Sequence, residues 1–134
     1  MSCPSEATSA GPVAQSCLIV DDSRVVRGVA RRILEQLNFV VDEAVDGQAA
    51  LDACRRCMPV VILLDWNMPV LNGIDFLRSL RGIDGGEAPV VVFCTTESDI
   101  RHIQEALGAG ANEYVIKPFD AEVLQEKFAK LGLL

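Results

Sequence analysis

From Ser16 onward the chain alternates short apolar runs with longer segments whose apolar residues recur at helical spacing, and five such pairs can be counted. That alternation is the sequence form of repeated βα units, which pack as a parallel sheet covered by helices. The predicted strands cover residues 17–20, 40–44, 60–64, 90–94 and 113–116. Three of them are nearly all apolar, as parallel strands buried on both faces should be. The expectation is an α/β fold with a doubly wound, five-stranded parallel sheet and helices on both faces.

The helical segments can be placed from caps and periodicity. The first starts after Asp22, with Ser23 as its cap, and puts Val26, Val29, Ile33, Leu34 and Leu37 on one face. Its opposite face carries Arg24, Arg27, Arg31, Arg32 and Glu35, which reads as solvated. A second helix over 47–57 turns Ala50, Leu51 and Cys54 inward, and Pro59 helps to end it. A third over 72–81 buries Ile74, Leu77 and Leu80, and Gly82, Gly85 and Gly86 follow as a link. The fourth covers 98–108. The fifth covers 122–131, with Leu124, Phe128 and Leu131 spaced to pack on the sheet.

A length of 134 residues suits one core and one domain. Residues 1–15, rich in Ser, Ala, Gly and Pro, read as a flexible tail, and 16–134 as the domain. The tail lacks the basic start and apolar stretch of a secretory signal, so a cytoplasmic location is expected. No apolar run approaches the roughly 20 residues that span a bilayer, so no membrane insertion is expected. Nineteen acidic side chains against 12 basic ones give a formal net charge of −7, which opposes binding to nucleic acid. Five cysteines, an odd number, point to reduced thiols rather than a disulfide framework.

The chemistry gathers at the strand ends. Asp21 and Asp22 follow the first strand and Asp65 follows the third, at the edge where open α/β sheets bind ligands. Carboxylates placed together repel one another unless a cation neutralises them, and hard oxygen ligands suit Mg2+. Thr95 ends the fourth strand with a hydroxyl, and Lys117 ends the fifth with an ammonium just before Pro118. Such a set suits a phosphoryl group: one carboxylate can attack phosphorus, the metal and Lys117 can offset charge on the oxygens, and Thr95 can donate a hydrogen bond.

At these residues the chain resembles the receiver domains of bacterial response regulators, and among them the CheY-like chemotaxis regulators. The matching stretches are Val20-Asp21-Asp22-Ser23, Asp65-Trp66-Asn67-Met68-Pro69, Asn72-Gly73, Thr95, Gly110-Ala111-Asn112-Glu113-Tyr114 and Lys117-Pro118-Phe119. The resemblance implies a flavodoxin-like sheet in the order 2-1-3-4-5. It implies that Asp65 is the phosphoacceptor, that Asp22, Asp65 and the carbonyl of Asn67 hold Mg2+, and that Asp21 acts through a water. Thr95 and Lys117 would contact the phosphoryl oxygens, and the Lys117-Pro118 bond would be cis. Tyr114 would be a movable switch aromatic working with Thr95. Asn67 and Glu97, each two residues beyond a site residue, would set the phosphate lifetime by orienting water. Thr96 is bulkier than the small residue often found there.

The implied partners are a histidine kinase as phosphodonor and a target on the surface of the fourth helix, fifth strand and fifth helix, such as the flagellar motor switch. The chain would act as a monomer. A phosphate sink or relay without its own target is the alternative, and a phosphatase-like enzyme is a weaker one, because nothing here would form a lid over a substrate. Individually the pieces have plainer readings. Asp21 and Asp22 could cap a helix, and Cys54 and Cys57 form a C-x-x-C pair without the further ligands zinc needs. His102, the sole histidine, reads as solvated on a polar helix face.

Overall fold

The computed structural model describes residues 15–66, 68, 70–96 and 101–134. Expectations placed on residues 1–14, Asn67, Pro69 and 97–100 lie outside the described residues. Ten elements alternate along the chain: β1 (Gln15–Val20), α1 (Arg24–Gln36), β2 (Phe39–Ala44), α2 (Gly47–Arg56), β3 (Val61–Asp65), α3 (Gly73–Gly82), β4 (Val90–Thr96), α4 (Ile103–Gly108), β5 (Glu113–Lys117) and α5 (Ala121–Lys130). All strand pairs are parallel and the sheet order is β2-β1-β3-β4-β5. Gln15, expected in the tail, instead pairs with Phe39 and opens the sheet.

Alternation along the strands divides the core in two. Leu18, Val20, Ile62, Leu64, Val91 and Phe93 pack under α2, α3 and α4. Cys17, Ile19, Val61, Leu63, Val92, Cys94 and Val115 pack under α1 and α5. Four of the five helices carry side-chain caps: Ser23, Asp46, Asn72 and Asp120 each accept a hydrogen bond from a first-turn backbone N–H.

Several inner faces differ from the periodic reading. Val29 is 46% exposed, because α1 turns Ala30, Ile33 and Leu34 onto the sheet and leaves Val26 and Val29 at its flank. There they line an apolar pocket with Val25, Pro118 and Phe119. Phe76, absent from the expected face of α3, is fully buried beside Leu77 and Leu80. Cys17, Cys54 and Cys94 are buried free thiols, so Cys54 does not pair within the C-x-x-C. Cys57 is disulfide-bonded, against the expectation of reduced thiols. No helix among the described residues is long and apolar enough to cross a membrane.

The turn from β3 into α3 carries a backbone cost. Val70 has φ +68°, in the left-handed region that a β-branched residue rarely enters, and its side chain is 80% exposed. The conformation costs about 1–2 kcal/mol, and exposure returns little burial to offset it. Val70→Asn, which accepts that backbone, should therefore raise the unfolding free energy by about 1 kcal/mol. The check is a urea melt in which the midpoint rises while the slope stays constant.

Candidate functional site

The period of two that sorts the core also aims the site. Asp21 extends the phase of Cys17 and Ile19, Asp65 that of Val61 and Leu63, and Lys117 that of Val115, all residues of the α1/α5 face. Past the ends of these parallel strands the three polar side chains converge. Lys117 Nζ lies 2.7 Å from Asp21 Oδ2 and 2.7 Å from Asp65 Oδ1, a single ammonium bridging two carboxylates. Asp21 and Asp65 are buried while Asp22 is exposed, and one carboxylate oxygen from each of the three lies within 4.8 Å of the others. The Lys117-Pro118 peptide is cis, as the resemblance implied.

Asp21 is held on every side. Its N–H donates to the Ala44 carbonyl at 3.1 Å, and its Oδ1 accepts from the Ser23 N–H at 2.8 Å. Its own carbonyl accepts from Arg27 Nη1 at 2.8 Å. Arg27, expected on a solvated face, is only 12% exposed at its side chain and also donates through Nε to Glu43 Oε1 at 2.9 Å. Arg31 Nε reaches the other Glu43 oxygen at 2.6 Å. The hydrogen bond from Arg31, with that from Arg27, holds the Glu43 carboxyl below its ordinary range despite partial burial.

At Asp65 burial is the main influence and pushes the carboxyl up; Lys117 pulls it down, and the charges of Asp21 and Asp22 push it up again. The net direction is upward. For Lys117 burial works against the charge, but the hydrogen bonds to Asp21 and Asp65 outweigh it and raise the ammonium above its ordinary value. Gly73 closes the floor of the site: its N–H donates to the Trp66 carbonyl at 3.1 Å, and a Cβ there would stand 2.4 Å from the Asp65 carbonyl oxygen.

Thr95 belongs to the other face. It follows Phe93 in phase, is buried, and its hydroxyl donates to the Thr96 carbonyl at 3.4 Å. Tyr114 pairs with Phe93 across the sheet and packs half-buried on that same face, with Lys127 Nζ 4.7 Å above its ring. His102 is not solvated: it stacks on Trp66 with ring centroids 4.1 Å apart and planes 18° from parallel. No periodicity rule could find that contact, since it joins the start of α4 to the residue after β3. The expected roles of Asn67 and Glu97 fall outside the described residues.

The donor set suits a hard divalent cation. Three carboxylates face one lysine, which takes one oxygen each from Asp21 and Asp65 and leaves net negative charge at a cleft whose ligands are all oxygen.

Comparison with known proteins agrees with this geometry. The model of the response regulator receiver domain family matches residues 17–129. The chain is 40% identical over 115 residues to the chemotaxis protein CheY of Pseudomonas aeruginosa, which covers 85% of this chain and 93% of that protein. It is 37% identical to the chemotaxis protein CheY-3 of Vibrio cholerae, over 85% of this chain and 88% of that protein. Among solved structures, Vibrio cholerae CheY4 superposes with a TM-score of 0.83 at 30% identity, covering 88% of this chain and 98% of that one. The receiver domain of the sensor histidine kinase PA1611 of Pseudomonas aeruginosa, solved with a magnesium ion in its active site cleft, gives 0.80 at 29% identity over 87% and 96%. The chain belongs to the response regulator receiver domain family, whose setting is two-component signalling.

The raised Asp65 carboxyl makes a pH prediction. A carboxyl whose folded pKa exceeds its unfolded value binds its proton more tightly when folded, so stability falls as pH rises from 3.8 through the folded value. Above the unfolded value that cost grows with pH until the folded carboxyl has ionised. Asp65→Asn should therefore melt higher than the parent at pH 7 in the absence of divalent cations. The difference should shrink to nothing below the unfolded carboxyl value of 3.8. Thermal melts across that range check both halves of the expectation.

Proposed function

We propose that this chain accepts a phosphoryl group from a histidine kinase on Asp65, with Mg2+ that Asp22, Asp65 and the carbonyl of Asn67 would hold directly and Asp21 through a water, and then regulates a partner through a changed surface. The observation that carries the reading is the Lys117 bridge, which joins two of three clustered carboxylates beyond the ends of a parallel sheet.

In the proposed reaction an Asp65 carboxylate oxygen attacks phosphorus. An O–P bond forms, the N–P bond to the donor histidine breaks, and the nitrogen keeps the electron pair and takes up a proton. The bound cation would supply positive charge to offset the negative charge of the phosphoryl oxygens. The raised ammonium of Lys117 stays charged throughout the neutral range, so it can turn from Asp65 toward a phosphoryl oxygen without losing Asp21. The Thr95 hydroxyl, given up by the Thr96 carbonyl, can donate to another oxygen. Asn67 and Glu97 would orient the hydrolytic water.

The output would leave through the opposite face. Thr95 and Tyr114 share the side of the sheet under α4, so a shift of the hydroxyl toward the phosphoryl group frees space that Tyr114 can occupy. That shift would remodel the surface of α4, β5 and α5. The similarity to chemotaxis proteins favours a partner in chemotaxis or flagellar motor control. We read the chain as a cytoplasmic monomer rather than an enzyme acting on a separate substrate.

Treatment with a small acyl phosphate and Mg2+, followed by mass spectrometry, should place one phosphoryl group on Asp65. Undiminished labelling of Asp65→Asn would sink the assignment. A partner retained only by the phosphorylated protein supports the regulatory reading, whereas kinase dephosphorylation with no retained partner supports a phosphate sink.

Trp66 supplies an internal reporter, because it adjoins Asp65 and stacks on His102. Its fluorescence should change first with Mg2+ and again with acyl phosphate, and the second step should vanish in Asp65→Asn. A signal unmoved by either addition, in protein shown to be phosphorylated, counts against the arrangement.

A further inference from the structure

The β1–α1 turn presents Asp21 and Asp22, and its backbone is anchored by one side chain. Arg27 Nη1 donates to the Asp21 carbonyl at 2.8 Å, while its Nε donates to Glu43 Oε1 at 2.9 Å. Glu43 stands near the end of β2, in register with Ile19 and one residue before Ala44, whose carbonyl takes the Asp21 N–H. The guanidinium thus spans from the first turn of α1 across the Asp21 backbone to β2. A guanidinium suits this place because its donors lie in one rigid plane and reach two acceptors at once. Arg31, one turn later, holds Glu43 and Glu35 but makes no hydrogen bond to the Asp21 backbone.

Charge alone would make Arg27 a liability. A cation close to three carboxylates meant for a metal repels that metal, so electrostatics predicts that removing Arg27 tightens cation binding. Geometry predicts the reverse. Without Arg27 the carbonyl between the two acids loses a charge-assisted partner and the turn gains freedom, which must be lost again when the carboxylates converge on an ion.

We propose that Arg27 is a positioning residue of the acidic site, which uses Glu43 as its anchor to fix the Asp21 backbone and so the placement of the Asp21 and Asp22 carboxylates for a divalent cation. The proposal rests on the reading of this cluster as a Mg2+ site.

The test is calorimetric titration with Mg2+ of the parent, Arg27→Gln and Arg31→Gln, paired with thermal melts in chelator. Both variants lose one positive charge and one Glu43 contact, and only the first frees the Asp21 carbonyl. Arg27→Gln should bind Mg2+ about ten-fold more weakly than the parent. Arg31→Gln should bind equally or slightly more tightly, whatever the melting temperatures do. Unchanged or tighter binding by Arg27→Gln overturns the proposal, as does equal weakening in both variants. If Arg27→Gln does not fold, Arg27→Lys replaces it: one ammonium is poorly placed to serve both acceptors, so a smaller weakening is expected and parental affinity overturns the proposal. A parent that binds no Mg2+ overturns the metal-site reading and this proposal together, which separates that failure from a parent that binds normally beside an unaffected Arg27→Gln.

Discussion

A half-buried ammonium shared by two buried carboxylates is the contact on which the site depends. Lys117 reaches Asp21 and Asp65 from a strand two places away from β3, so the bridge exists only if β1, β3, β4 and β5 all end at the same level. The bridge is incomplete compensation. Three acids face one lysine, and the upward displacement of the Asp65 carboxyl records the excess charge and burial. A fully compensated site would have no need of a ligand, whereas this one is left with a demand for positive charge, which in the proposed mechanism a divalent cation meets.

The two faces of the sheet divide the labour. Asp21, Asp65 and Lys117 continue the α1/α5 phase, and Thr95 with Tyr114 continues the α2–α4 phase. Neighbouring residues on a strand point to opposite faces, so adjacent β4 residues Cys94 and Thr95 touch different halves of the core. In the proposed mechanism this is how an event on one side is felt on the other: the Thr95 hydroxyl, at the strand end, can turn toward the site while its backbone belongs to the face that carries Tyr114. The Trp66–His102 stack ties the start of α4 to the residue following Asp65.

Where the sequence reading went astray, the cause was packing between elements rather than propensity within them. Val29 matched the helical stripe, yet the angle at which α1 lies on the sheet selected Ala30, Ile33 and Leu34. Arg27 looked solvated because its acceptors, the Asp21 carbonyl and Glu43, are brought to it by the turn and by β2. His102 looked solvated because its partner comes from a different βα unit. The strands erred by a residue or two at their ends, where pairing with a neighbour and not composition decides the last bond.

The sequence by itself determined the alternation of five strands and five helices, the cap Ser23, and the strand-end positions of Asp21, Asp22, Asp65, Thr95 and Lys117. Those follow from periodicity and from local hydrogen bonding, which act over a few residues. Only the tertiary structure decided that Lys117 would reach two of the acids, that Arg27 would hold the turn between them, and that Thr95 would share a face with Tyr114. Each joins groups from separate elements, and their meeting is set by strand order, register and the packing of helices on the sheet, which no short stretch of chain encodes alone.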